Sequence, residues 1–155
     1  MLDAPKAKGV AGFLKNQPVV KLSGLTVTSK NEYAVIQVVS MDDKAIAESE
    51  KILVQVGTIY RPTGWKESPS KVNIDDVDYD GFLIENTGRM PWQGQDVNVS
   101  LKFDKLKVRS AFLLDINGYL KKEIPLVKSG RGWSVKIPKD AMYVILNTSQ
   151  PKGVE

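Results

Sequence analysis

Short runs of alternating apolar and polar residues, closed by turn-forming pairs, fill this chain, and no stretch of ordinary length is patterned as a helix. Together these features predict an all-β protein: an antiparallel β-sandwich, jelly-roll or immunoglobulin-like, of about ten short strands. The clearest run is Asp96 to Phe103, where Val97, Val99, Leu101 and Phe103 point one way and Asn98, Ser100 and Lys102 the other. Turn chemistry agrees. Asn117-Gly118 between two β runs signals a two-residue type I′ hairpin, which needs positive φ at both central positions.

In chain order, residues 1–18 hold Pro5, Gly9, Gly12 and Pro18 around Val10, Ala11, Phe13 and Leu14 and form an ordered leading segment. Strands are then expected at Val19–Thr28, Tyr33–Ser40, Lys51–Tyr60, Val72–Asn73, Phe82–Glu85, Val97–Phe103, Val108–Asp115, Tyr119–Pro125, Trp133–Ile137 and Met142–Asn147. Ile52, Val54 and Val56 alternate against Gln55, whereas Ala34 to Val39 is nearly all apolar and reads as a strand covered on both faces. Met41-Asp42-Asp43-Lys44 closes one hairpin and Ser129-Gly130-Arg131-Gly132 another. At 155 residues and 42% hydrophobic content, 1–155 is expected to be a single domain, with the sandwich core in 19–148. Patterned sequence begins so near Met1 that the chain reads as a piece of a larger protein.

Composition removes whole classes of chemistry. Without cysteine there is no disulfide, thiolate metal site or cysteine nucleophile, and without histidine there is no Ser-His pair and no usual ligand for catalytic zinc. No phosphate-binding loop or nucleophile elbow is present. Carboxylate pairs such as Asp80 with Glu85, or Glu48 with Glu50, have no spacing that specifies glycoside hydrolysis, so catalysis by this domain alone is not expected. No apolar run approaches the ~20 residues needed to span a bilayer, so no membrane partner is expected. The net charge of +4 is uneven, with 11 cations and 5 carboxylates in residues 102–155. Lys102, Lys105, Lys107 and Arg109 could offer a stripe to an anionic polymer, or protect a strand edge with solvated charge. Aromatic and basic residues do not interleave, and no nucleic-acid partner is expected.

Aromatic residues in loop-like sequence point to a ligand. Trp65 follows Arg61-Pro62-Thr63-Gly64, and Trp92 lies in Asn86-Thr87-Gly88-Arg89-Met90-Pro91-Trp92-Gln93. Sugars stack their flat C–H faces on such rings while polar neighbours bond their hydroxyls. Tyr60, Arg61, Trp65, Arg89, Trp92 and Gln93 supply that mixture as a candidate carbohydrate-binding set, against the alternative that the tryptophans are core lids. Trp133 alternates with Val135 and Ile137 and belongs to the core. Asp76, Asp78 and Asp80 precede Gly81 in a D-x-D-x-D-G run that could hold a structural calcium ion, although position 87, where an EF-hand needs its glutamate, is Thr87.

The order Gly9-Val10-Ala11-Gly12-Phe13, Val39 to Ser49, Lys51 to Thr58 and Arg61-Pro62-Thr63-Gly64-Trp65 resembles accessory β-sandwich domains near the C-terminus of large bacterial glycoside hydrolases. Asn86-Thr87-Gly88, Pro91-Trp92 and Ile137 to Leu146 are similar to later landmarks of the same region. The resemblance implies a non-catalytic module of a secreted or periplasmic polysaccharide-degrading enzyme, needing no cofactor and monomeric in isolation. Its implied partners are a polysaccharide or oligosaccharide and the catalytic domain of the parent enzyme. The alternative it leaves is an interdomain packing module that binds no sugar.

Overall fold

A computed structural model describes residues 1–149, and its described residues form sixteen strands and no helix. β1 (Leu2–Asp3) and β2 (Ala7–Phe13) open one sheet, and the chain crosses to a second for β3 (Val19–Leu22) and β4 (Leu25–Ser29). It returns to the first for β5 (Tyr33–Ser40) and β6 (Lys51–Gly57). Next come β7 (Tyr60–Thr63), β8 (Lys66–Ile74), β9 (Val77–Asn86) and β10 (Arg89–Gly94), which pair only among themselves. β11 (Val99–Phe103) joins the second sheet, β12 (Ser110–Leu114) and β13 (Leu120–Glu123) the first, β14 (Leu126–Ser129) and β15 (Gly132–Lys136) the second, and β16 (Tyr143–Asn147) the first.

The resulting sheets have the orders β1-β2-β5-β6-β16-β12-β13 and β14-β15-β11-β4-β3, every neighbour antiparallel. Their inner faces share one core. Ala34, Ile36, Val38, Ile52, Val54, Ala111, Leu113, Val144 and Leu146 come from the seven-stranded sheet, and Leu25, Val27, Val99, Leu101, Phe103 and Val135 from the five-stranded sheet. This is an open antiparallel sandwich, as the sequence predicts, and half-buried Trp133 packs against its core. None of its buried side-chain nitrogens or oxygens lacks a partner among the described residues.

Two expectations are corrected. Residues 1–18 are not merely a leading segment, because β2 pairs with β5 through seven register positions from Ala7↔Val39 to Phe13↔Tyr33. Val19–Thr28 is two strands, folded at Ser23-Gly24 with Gly24 at φ 74°. Met1–Thr58 with Asp96–Glu155 is one compact unit and Ile59–Gln95 another. Where the chain re-enters the sandwich, Asn31 holds it, donating from Nδ2 to the Asp96 carbonyl at 2.8 Å and accepting from the Asn98 amide at 2.8 Å.

A carboxylate ties the first strand to the opposite sheet. Asp3 accepts from the Ser23 amide and hydroxyl, both at 2.8 Å, and from Lys8 Nζ. The Lys8 hydrogen bond leads, with the two from Ser23, in lowering the Asp3 pKa from 3.8 to about 2. Asp42 is lowered further, chiefly by the Glu50 amide that it accepts at 2.6 Å. Carboxylates lowered in the folded state stabilise it fully above the unfolded pKa, and the contribution is lost as pH falls through the folded value. Melting temperature is expected to fall between pH 4 and pH 2, less steeply in Asp3→Asn than in wild type, as read by circular dichroism melts.

Candidate functional site

The unit Ile59–Gln95 is one long antiparallel ribbon. β7 pairs with β10 and β8 with β9, and the Gln95 amide donates to the Ile59 carbonyl at 2.9 Å to close its open end. Two glycines with positive φ, Gly64 at 82° and Gly88 at 70°, interrupt the ladder between its two halves. Gly88 has no room for a side chain, since a Cβ would lie 2.8 Å from the Thr63 carbonyl oxygen. Its amide is held by Asn86 Oδ1 at 2.8 Å. At the far end Asp75 and Asp76 form a two-residue turn with φ of 48° and 62°, the conformation that short-side-chain acids tolerate.

Every residue of the candidate set Tyr60, Arg61, Trp65, Arg89, Trp92 and Gln93 lies on or beside β7 and β10. Trp92 pairs with Pro62 and Gly94 with Tyr60, so register places these four on one face. Arg61 with Gln93, and Thr63 with Arg89, take the other. The two intervening residues, Met90 and Pro91, are joined by a cis peptide bond, and Thr63 Oγ1 donates to the Pro91 carbonyl at 2.6 Å.

The two tryptophans differ in kind. Trp92 is 55% exposed, and no ring contact or hydrogen bond occupies its indole among the described residues. On the same face Tyr60 is 40% exposed, and a Cβ on Gly94 would come within 2.9 Å of its ring. Gly94 is thus the floor on which the phenol lies. Trp65 is half-buried and already engaged: the Arg61 guanidinium sits 4.9 Å from its ring centroid, and its Nε1 donates to Glu67 Oε2 at 2.7 Å. It belongs with Arg61, away from the Trp92 face.

No family model, curated protein or solved structure matches this chain.

The acidic run is drawn out along the ribbon. Asp76 is in the turn, whereas Asp78 and Asp80 follow along β9, where same-face neighbours are about 7 Å apart. Asp78 is taken by Asn73, whose Nδ2 donates to Oδ1 at 2.8 Å, and Asp80 stands opposite Lys71. Extension of the strand thus spreads carboxylates that a compact loop would gather, and no group of three acidic side chains among the described residues could hold a metal ion.

Neither the basic cluster nor the tryptophan platform includes the other's residues. Lys102 is exposed on β11, and Lys105, Lys107 and Arg109 lie in the β11–β12 connection, with Arg109 Nε donating to the Thr148 carbonyl at 3.2 Å. The ribbon itself is acidic, with Arg61, Lys66, Lys71 and Arg89 against six carboxylates in Ile59–Gln95. Sequence reasoning missed Pro62 and Gly94 as members of the site. Their signal is the register itself, which pairs a proline and a glycine with the two aromatics.

Proposed function

We propose that this protein is a non-catalytic carbohydrate-binding module of a secreted or periplasmic polysaccharide-degrading enzyme, and that it holds a neutral glycan on the Tyr60–Trp92 face of the β7–β10 ribbon. The observation that carries this reading is the pair of exposed aromatic side chains on one ribbon face, beside Pro62 and Gly94 and, among the described residues, free of hydrogen-bond or ring partners that would compete with a sugar. A flat aromatic face buries one side of a pyranose ring and leaves its hydroxyls in water, which gives modest affinity per site. Tethering such a module to a catalytic domain raises the local concentration of enzyme at polymeric substrate.

Affinity electrophoresis through gels containing neutral and anionic polysaccharides tests the proposal. Retardation by a neutral glycan, unchanged when salt is raised from 50 to 500 mM, is the expected outcome, since stacking is not screened. Unretarded migration in every gel removes the reading.

A second reading, an interdomain packing module, draws on the other half of the ribbon. Val72, Ile74, Val77, Tyr79 and Leu83 share one face of β8–β9, and each is at least 44% exposed. Apolar stripes of this extent mark surfaces that another body covers. On this reading the parent's catalytic domain covers it, and truncating Tyr79 or Leu83 in the parent would lower the parent's melting temperature while leaving the isolated module's unchanged.

A further inference from the structure

The outer face of the seven-stranded sheet is apolar where a sandwich normally presents polar residues to water. Register places Leu53, Ile145 and Phe112 in one cross-strand row, and Tyr143, Leu114 and Leu120 in the next. They line a groove of about 630 Å³, with Met41 at one end and Ile116, in the β12–β13 turn, at the other. Ile116 is 77% exposed, Leu120 66% and Met41 54%, so the groove has apolar lips as well as an apolar floor.

Register places two ionic side chains on the outer face of β6, β16, β12 and β13, and they have opposite sign. Lys51 is on β6, across Asn147, and Glu123 is on β13, across Phe112. The first and the last of these four strands thus carry a cation and an anion, flanking the apolar rows. Neither side chain makes an ion pair among the described residues.

We propose that this face binds a second copy of the chain, in a two-fold dimer whose axis runs parallel to the strands between β16 and β12. That axis lays β6 of one copy over β13 of the other and β16 over β12. Lys51 then faces Glu123 of the second copy, displaced by one same-face position, about 7 Å, which the two long side chains span across sheets about 10 Å apart. The same operation sets Leu120 of each copy over the β6 end of the row that Leu114, Tyr143 and Gln55 make in the other, beside its groove. A patch that is its own complement in charge suits an isologous contact.

Size sets the strength. Four strands about 4.8 Å apart and about five residues long give roughly 330 Å² per copy and about 650 Å² for the pair before the lips contribute. Interfaces of that size support weak, reversible association. The dimer departs from the monomer expected on sequence alone, and it is independent of the glycan-binding proposal, which uses a different part of the chain.

Sedimentation velocity and equilibrium of the full chain, from about 10 μM to about 1 mM, test the proposal. The expected result is a weight-average mass that climbs from monomer toward dimer across this range. Lys51→Glu and Glu123→Lys are each expected to weaken association at least tenfold, and the double exchange to restore it. Leu120→Asp, an exposed position whose substitution leaves the core intact, should also abolish it. A chain monomeric at 1 mM overturns the proposal. So does a dimer indifferent to Leu120→Asp and to the charge exchanges, which would place the contact on another surface.

Discussion

Gly132→Ala is expected to unfold the sandwich under conditions in which Gly130→Ala, two residues away, leaves it folded. A Cβ at Gly132 would lie 1.6 Å from the Phe103 carbonyl oxygen and 2.7 Å from the Asp104 carbonyl carbon. Both are backbone atoms that no rotamer can move aside. Gly132 begins β15, whose next residue, Trp133, pairs with Phe103 of β11, and Phe103 is only 1% exposed among the largest side chains of the core. Making room for one methyl group therefore pushes β15 from β11 and pulls Phe103 out of its packing. Overpacking with forced backbone movement belongs among the most damaging single substitutions, and at least about 3 kcal/mol is expected here. Against a total stability of about 5–15 kcal/mol, that is a large part of what holds a domain folded. Gly130 has no atom within 4 Å of its would-be Cβ, but φ is 64°, so alanine there carries only the left-handed penalty of about 1–2 kcal/mol. Urea denaturation of the three proteins gives the comparison directly. Equal midpoints for the two variants would show that β15 can shift without cost to the core.

The sandwich strands were legible because one face of each meets the core and the period of two survives in sequence, as in Val99, Leu101 and Phe103. Hairpins were harder. The break at Ser23-Gly24 is marked only by a shift of phase, since Leu22 and Leu25 are three residues apart yet both buried and the turn between them has only two residues. At Asn117-Gly118 the hairpin is present but its turn is not the predicted two-residue one. Only Gly118 has positive φ, at 87°, and Asp115 Oδ1 accepts from the amides of Asn117 and Tyr119, both at 2.9 Å. The Asp115 amide donates to the Tyr119 carbonyl at 2.9 Å, so the loop is three residues long and aspartate-capped. Side-chain capping of this kind competes with the dipeptide signal and is invisible to it.

The division at residues 59 and 95 was not legible, because a two-stranded ribbon has no core of its own to impose a pattern. Its apolar residues, such as Phe82, Leu83 and Ile84, are exposed on both faces of β9, so periodicity has nothing to report. The nearly all-apolar run Ala34 to Val39 predicts cover on both faces, but only one face is covered: Ala34, Ile36 and Val38 are fully buried, Val35 and Val39 half so, and Gln37 is exposed. Similar doubly apolar strands at Ser110–Leu114 and Tyr143–Asn147 carry the groove described above. The same logic explains why the six aromatic and polar candidates come together in space but not on one face: residue type selects them, whereas the side each takes depends on cross-strand register, which spans separations of 26 residues at Thr63↔Arg89 to 34 at Tyr60↔Gly94 that no local pattern encodes.

Trp92→Ala is expected to remove glycan binding, where Trp65→Ala leaves most of it. Burying an exposed aromatic face against a sugar is worth about 1.5–3 kcal/mol, so losing Trp92 should weaken binding roughly ten- to a hundredfold. Trp65 cannot contribute on that scale, because reaching a sugar would require the Arg61 guanidinium to leave its ring and Glu67 to release its Nε1. Its truncation should cost less than about threefold, from loosened packing around Arg61 rather than a lost contact. Gly94→Val separates the platform from its parts. A branched side chain there must displace the Tyr60 ring that lies within 2.9 Å of the Cβ position, while Trp92 keeps its own place opposite Pro62. Binding should then fall to a level between wild type and Trp92→Ala if both rings serve one ligand. Titration with a soluble fragment of whichever neutral glycan retards the wild type, followed by tryptophan fluorescence and chemical shift, resolves these cases. The reverse order of effects, with Trp65→Ala decisive and Trp92→Ala silent, would move the site to the Arg61–Gln93 face of the same ribbon and make the guanidinium a gate over the indole.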